Sequence, residues 1–583
     1  MELHFTKGSR PRIIAFLVVA VMAVFVARLF YIQVIQHGFY VGQADSEQIK
    51  KFTLHATRGE IYAMDGNTPT KLVLNQTVYT VWADPTLVAD QSKVVDALNK
   101  VAGGNVRDNF AQYLNVKNSR YQVLATNVTY DQAKILKAYN LPGVGFDATA
   151  RRVYPEGPLA SQLLGFVNAE GNGVYGLEQA EDGVLKGQDG MLSTVTDVRD
   201  VPLTIGDKNV KTPAKNGTNI VLTVDRNIQS ETEQALAAGA KRSGATNVSA
   251  VVMDPSNGHV LAMANLPTYD PSKLNEVTDV ADFNNDVISM PYEPASVIKT
   301  FTLAAGIDKG VVTPESTYDN TGSVQVEDIV INNATKAAFL NGPTTMQTAL
   351  DWSLNTGMVA LAKRLGDGTS ITKQARSTIY DYFHDRLRLG QLTGIELANE
   401  AQGIIYSPDN VQGNAVRYSN MVFGQGMDVT MMQVASGFSA IINGGTYHEP
   451  TVIGGTIGDD GEFVGSAPTK SYPNVISAST SATMRGMIQH ANYATWRPRN
   501  EPAGFYVGGK TGTSQVIVNG KYVLDQTIGT YIGFGGEVDK IPKYVIMVEI
   551  SADGKALDGG SDAKPIFNDI SNYLLNYLKL SPK

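Results

Sequence analysis

The sequence predicts an α+β protein in three parts: a membrane helix, a mixed pedestal, and a large module whose antiparallel sheet is closed by the chain ends around a helical insert. Three observations carry this. Residues 13–27, IIAFLVVAVMAVFVA, are an unbroken apolar run. Two strand-like runs, NVSAVVMD and HVLAMANL, lie near residue 250. Three more, FYVGGKTGTSQVIV, QTIGTYIGF and KYVIMVEI, follow residue 504. The length agrees, since 583 residues exceed one compact core and suit about three units.

The apolar run continues as LFYIQVI to Ile35 past a single Arg28, which gives the ~20 residues a helix needs to cross a bilayer. Arg28 can snorkel toward the outer interface near Tyr31. Lys7, Arg10 and Arg12 precede the run and no lysine or arginine follows it until Lys50. The positive-inside rule therefore makes residues 1–12 a cytoplasmic tail and 13–35 the transmembrane anchor, with the rest of the chain outside. A cleaved signal peptide is the competing reading, but the run is longer than a usual h-region and no small-x-small site follows it. The composition, 43% hydrophobic and 18% charged, is that of a globular protein. A net charge of −8 argues against nucleic acid as the main partner. With no cysteine in the chain, disulfides, thiol nucleophiles and cysteine-ligated zinc are excluded together. No metal or cofactor is expected.

Residues 36–220, the expected pedestal, alternate strand-like segments such as TVYTVWADP with helical ones such as VTYDQAKILKAYN. The character changes at TNIVLTVDRNIQSETEQALAAGAKRSG, where a strand runs into a helix capped by Asp225, with Ile228, Ala235 and Leu236 on one face. Residues 221–583 form the last module. Its first two strands meet at Asn257-Gly258, a hairpin signal. Its last element is an amphipathic helix from Ile566 to Leu578. The expectation is a five-stranded antiparallel sheet flanked by helices.

Within this module, MPYEPASVIKTFTLAAGI, residues 290–307, sets a lysine inside a run apolar enough to be buried. If Ser296 begins a helix, Lys299 follows one turn later on the same face. Burial disfavours the ammonium form, and a neutral amine beside a hydroxyl is a general base that activates serine without histidine. S-x-x-K alone is weak. SITK at Ser370 runs into polar sequence, and SDAK at Ser561 runs into Pro565. Two further strings add weight: SLN, Ser353 to Asn355, lies 57 residues after Ser296, and KTGT, Lys510 to Thr513, lies 214 after it on a predicted strand. Serine-lysine, S-x-N and K-T-G in this order are the motif set of penicillin-binding proteins and serine β-lactamases.

Acyl-transfer chemistry assigns roles to these positions. Ser296 attacks a peptide carbonyl, Lys299 takes its proton, and Ser353 relays it to the departing amine. Asn355 holds Lys299 or the substrate amide, and Lys510 directs positive charge toward Ser353 and the substrate carboxylate. Thr511 and Thr513 read that carboxylate, Gly512 gives the substrate backbone room at the strand edge, and the N–H groups of Ser296 and Thr513 form the oxyanion hole. Each has a structural alternative: Ser353 and Asn355 as caps, Lys510 as an exposed strand lysine.

The chain also resembles class B penicillin-binding proteins, the monofunctional peptidoglycan transpeptidases, over nearly its whole length. TRGEIYAMDGN, residues 57–67, is similar to the family's R-G-x-I opening of the pedestal. Residues 151–190, from RRVYPEG through GLEQAED, resemble its arginine-tyrosine-proline and G-L-E segments. TGIELANEAQG and FGQGMDVTMMQVASGFSAIINGG resemble its transpeptidase helices and lean toward the cell-division subgroup. The resemblance implies a D,D-transpeptidase acting on peptidoglycan stem peptides and lipid-linked precursor. It further implies that β-lactams are inhibitors and that the membrane partners are a SEDS-family glycosyltransferase and other divisome proteins. Ala295 departs from the usual glycine before the serine, Leu354 fills the S-x-N, and GLEQAED lacks the second usual glycine. A β-lactamase would need a second base, and no glutamate in an E-x-x-L-N motif lies between SLN and KTGT. A β-lactam sensor would carry signalling segments, and a silent divisome scaffold would not need the serine-lysine pair.

Overall fold

The computed structural model describes residues 9–40, 49–116, 118–195, 210–334, 340–458, 460–495, 502–518 and 521–583. Most of the expected cytoplasmic tail, Lys7 included, lies outside them. Two compact units emerge: residues 1–58 with 186–217, and residues 59–185 with 218–583. The segment expected as pedestal, 36–220, is thus shared between them.

In the first unit, helix α1 (Ser9–Phe30) continues through a wider turn to Ile35. It is apolar on all sides, and among the described residues the stretch Arg10–Ile35 is the one helix long and apolar enough to cross a membrane. The Arg28 guanidinium lies 5.6 Å from the centre of the Tyr31 ring, a cation–π contact that suits an interface. A three-stranded sheet, Ile49–Leu54, Gly190–Val195 and Val210–Thr212, completes the unit.

The second unit contains the pedestal motifs and the large sheet. Strand Asn219–Asp225 is buried along nearly its whole length because it is central: it pairs in parallel with Ile61–Asp65 and antiparallel with Ile453–Ile457. Three resembling segments meet beneath it. Arg152 of RRVYPEG donates to the fully buried Glu178 of the G-L-E segment at 2.7 Å and to the Gly59 carbonyl of the R-G-E-I segment at 2.7 Å. Gly59 is required there, since a Cβ would sit 1.9 Å from the Thr218 carbonyl oxygen.

Helix α2 (Arg226–Ser243) starts at Asp225, whose carboxylate accepts from the N–H groups of Asn227 and Ile228, and ends at Gly244 in the left-handed region. Strands β1 (Asn247–Met253) and β2 (Val260–Leu266) follow, joined by a turn in which Gly258 has φ +80°. Helices α3 (Lys299–Asp308), α4 (Asn355–Arg364), α5 (Met431–Ile442) and α6 (Ala478–Thr495) lie in the insert. The chain returns as β3 (Phe505–Val518), β4 (Lys521–Glu537) and β5 (Tyr544–Ser551). The sheet order is β2-β1-β5-β4-β3, antiparallel throughout, as the early and late strand runs predict. Ile546, Val548 and Ile550 of β5 face α2 and the last helix, α7 (Lys564–Tyr577), while Val545 and Met547 face the insert around Phe301 and Phe438. Helix α7 begins two residues before the predicted Ile566. Pro565 does not break it but sits in its first turn, where the missing N–H costs nothing.

Candidate active site

Ser296 lies in a single 3₁₀ turn, Ala295–Ile298, that feeds α3, whose residues Lys299 to Gly306 are all buried. Ala295 is held at φ +54°, a region that costs an L-residue about 1–2 kcal/mol and suits the glycine usual in the family. The turn packs tightly against Gly424, where a Cβ would sit 1.9 Å from the Ala295 carbonyl oxygen.

Lys299, fully buried, points its ammonium nitrogen at the S-L-N turn. It donates to Ser353 Oγ at 3.0 Å, to the Ser353 carbonyl, and to Asn355 Oδ1 at 2.8 Å. Asn355 opens α4, and its Nδ2 donates to the Asn332 carbonyl at 2.9 Å, which turns Oδ1 toward the lysine. Ser353 also has positive φ, +55°, between two helices. Lys510, 4% exposed, reaches the same hydroxyl from β3: its Nζ lies 3.0 Å from Ser353 Oγ and 2.9 Å from the Thr511 carbonyl. Three strings separated by up to 214 residues in sequence therefore converge on one oxygen, and neither the capping nor the exposed-lysine alternative describes these side chains.

β3 is the sheet edge beside this cluster. Gly512 is buried, and a Cβ there would lie 2.9 Å from the Pro294 carbonyl oxygen and 3.3 Å from Val297. Its lack of a side chain lets the serine turn approach the strand, whereas the sequence suggested room for substrate. The exposed Thr513 donates its hydroxyl to Asp558 at 3.1 Å and accepts from the Gly559 N–H at 3.3 Å.

Neither decoy shares this setting. Ser370 Oγ donates to Asp367, and Lys373 pairs with Asp409 at the surface. Ser561 Oγ donates to Asp562; Lys564, against the sequence reading, is buried, and its Nζ donates to Asn492 Oδ1 at 2.7 Å. Sequence reasoning missed Asp351, which lines a small pocket with Lys510, accepts from Gln347 at 2.8 Å and pairs with His490 at 3.1 Å. Burial pushes its carboxyl up, against the pull of Gln347, His490 and Lys510. Its place two residues before Ser353 was the available signal.

Comparison with known proteins agrees with this geometry. Residues 248–572 match the penicillin binding protein transpeptidase domain and residues 53–222 the penicillin-binding protein dimerisation domain. The chain is 33% identical over 459 residues to penicillin-binding protein PbpB of Mycolicibacterium smegmatis, covering 76% of this chain and 67% of that one. It is 26% identical to the probable peptidoglycan D,D-transpeptidase PenA of Neisseria meningitidis, covering 99% of this chain and 94% of that one. Penicillin binding protein 3 of Mycobacterium tuberculosis, solved with aztreonam, superposes with a TM-score of 0.65 at 25% identity, covering 91% of this chain and 98% of that one. The transpeptidase match alone takes in more than half of the chain, and with the dimerisation match and the N-terminal apolar helix it makes this chain a class B penicillin-binding protein.

Proposed function

We propose that the chain crosslinks peptidoglycan stem peptides as a D,D-transpeptidase, through an acyl ester on Ser296, in septal wall synthesis, and that β-lactams inactivate it by forming the same kind of ester. The observation that carries this is the Ser353 hydroxyl held between Lys299 and Lys510. Two ammonium groups 3.0 Å from one oxygen are at most about twice that distance apart, and at an effective dielectric near 20 they repel by roughly 3 kcal/mol. Ser353 Oγ, within hydrogen-bond reach of both nitrogens, is placed to pass a proton between Lys299 and a departing amine.

In the forward step Ser296 Oγ bonds to the donor carbonyl carbon while its proton passes to Lys299 Nζ. The tetrahedral oxyanion is met by the N–H groups of Ser296 and Thr513. The C–N bond to the terminal D-alanine then breaks. Ser353 gives that nitrogen its proton and is reprotonated from Lys299. A stem-peptide amine attacks the ester, its proton returns along the same route, and Ser296 is released. Lys510, Thr511 and Thr513 hold the donor carboxylate beside the Gly512 backbone, and Asn355 fixes Lys299.

The PenA relative bears the D,D-transpeptidase name, and the tuberculosis neighbour holds aztreonam. The resemblance of residues 393–403 and 423–445 to the division subgroup supports the septal role and a SEDS-family glycosyltransferase with other divisome proteins as membrane partners. The charge distribution around the anchor supports a cytoplasmic tail of residues 1–12 with the rest of the chain outside, and the family matches at 53–222 and 248–572 support a pedestal within 36–220 and a transpeptidase domain within 221–583. A silent scaffold would have no use for two buried lysines on one hydroxyl.

Lys299→Met tests the proton route. It keeps the stem and removes the base, so acylation by a fluorescent penicillin should slow about 100-fold or more with the melting temperature maintained. Acylation at the wild-type rate would mean that another group takes the proton.

A further inference from the structure

Lys510 and Asp351 line one cavity of about 10 Å³ together with Asn492, Thr511 and Tyr531, room for no more than about one water. Asp351 ends the short helix Met346–Asp351, two residues before Ser353, and its side chain is only 7% exposed. Among the described residues that line the cavity it is the one carboxylate. With little solvent between them the charges of Asp351 and Lys510 attract, and Lys510 pulls the Asp351 carboxyl down while burial pushes it up. Lys510 in turn donates to Ser353 Oγ. Lys299, which shares that hydroxyl, donates to neutral oxygens of Ser353 and Asn355. Two ammonium groups on one oxygen repel, and the charges nearest each decide which of them holds its proton more tightly.

We propose that Asp351 is a positioning residue for acyl transfer: its carboxylate keeps Lys510 in the ammonium form, aimed at Ser353, so that the proton of Ser296 goes to Lys299. The assignment rests on the transpeptidase reading. Asp351 itself makes and breaks no bond and acts through its charge. Among the described residues, the titratable side chains that face it come from three elements: His490 of α6, whose Nδ1 lies 3.1 Å from Asp351 Oδ1, Lys510 of β3, and Tyr531 of β4 across the cavity. Lys564 of α7 joins them through Asn492, whose Oδ1 accepts from Lys564 Nζ at 2.7 Å and from the Tyr531 hydroxyl at 2.8 Å. A merely structural Asp351 would tie its helix to α6 through Gln347, whose Nε2 donates to Asp351 Oδ1 at 2.8 Å and to the Met487 carbonyl at 3.1 Å. That link needs an acceptor oxygen but no charge.

Asp351→Asn keeps the acceptor and removes the charge, so the full chain in detergent should melt as the wild type does. Its acylation by a fluorescent penicillin, followed from about pH 6 to 10, should be about tenfold slower at pH 8, and the basic limb, where Lys510 loses its proton, should move down by about one pH unit. Asp351 is charged above its titration, so the difference between the two proteins is full at high pH and shrinks as pH falls through the carboxyl that burial has raised. Asp351→Glu keeps the charge and should retain the wild-type basic limb even at a lower rate. Asp351→Ser removes the charge with less bulk and should shift the limb as asparagine does. A wild-type rate and limb in Asp351→Asn, or in Asp351→Ser where the asparagine variant does not fold, would overturn the proposal and leave the transpeptidase reading intact. A shift of the same size in Asp351→Glu would overturn it as well. A wild-type chain that takes no label, or a Ser296→Ala chain that does, would overturn that reading and the proposal with it.

Discussion

Lys299 Nζ lies 3.0 Å from Ser353 Oγ, although 54 residues separate them in the chain. The same hydroxyl accepts from Lys510 at 3.0 Å, so Ser353 links Lys299, at the start of α3, to the lysine of the edge strand. Ser353→Ala breaks that link while leaving Lys299 its contacts with Asn355 Oδ1 and the residue 353 carbonyl. Acylation by a fluorescent penicillin should fall about 100-fold, the scale of a lost proton-transfer group, with little change in melting temperature. An unchanged acylation rate would remove Ser353 from the proton route.

Ala295 tests the strain stored next to Ser296. At φ +54° the alanine costs about 1–2 kcal/mol, partly offset by the greater unfolded-state freedom of glycine. Ala295→Gly should therefore stabilise the chain by about 0.5–1 kcal/mol in urea denaturation without loss of acylation. Destabilisation by a similar amount would show that the backbone there is not left-handed.

Glu178 tests the pedestal motifs. It is fully buried against Arg152, so Glu178→Ala leaves a guanidinium without its carboxylate in a closed site. Removing one partner of such a pair costs about 3–5 kcal/mol. Denaturation should show a loss of that size, and a loss under about 1 kcal/mol would mean that solvent or another acid reaches Arg152.

Much of this was legible in sequence, for physical reasons that differ from place to place. The five strands announced themselves because their alternation and turn residues are local signals. The Asp225 cap was readable for the same reason. Burial of Lys299 followed from the apolar run that encloses it. Other features have no local trace: the parallel pairing of Asn219–Asp225 with Ile61–Asp65 joins segments far apart in the chain, and it places residues 59–185 in one unit with the large sheet. Pro565 misled because proline stops a helix interior yet starts a first turn, which hid buried Lys564. Gly512 was readable as a close-approach position, but what approaches, Pro294 and Val297, came only from the fold.

The central claim is an acyl-enzyme on Ser296, and intact-protein mass spectrometry after penicillin treatment and removal of free drug tests it most directly. The wild-type chain, Ser370→Ala and Ser561→Ala should each gain one penicilloyl mass, mapped to the peptide containing Ser296 and persisting for many minutes, against the ~10 per second turnover of a median enzyme. Ser296→Ala should gain none. A labelled Ser296→Ala would contradict the assignment of the nucleophile, and rapid return of the wild type to its unmodified mass with hydrolysed penicillin in solution would make the chain a β-lactamase.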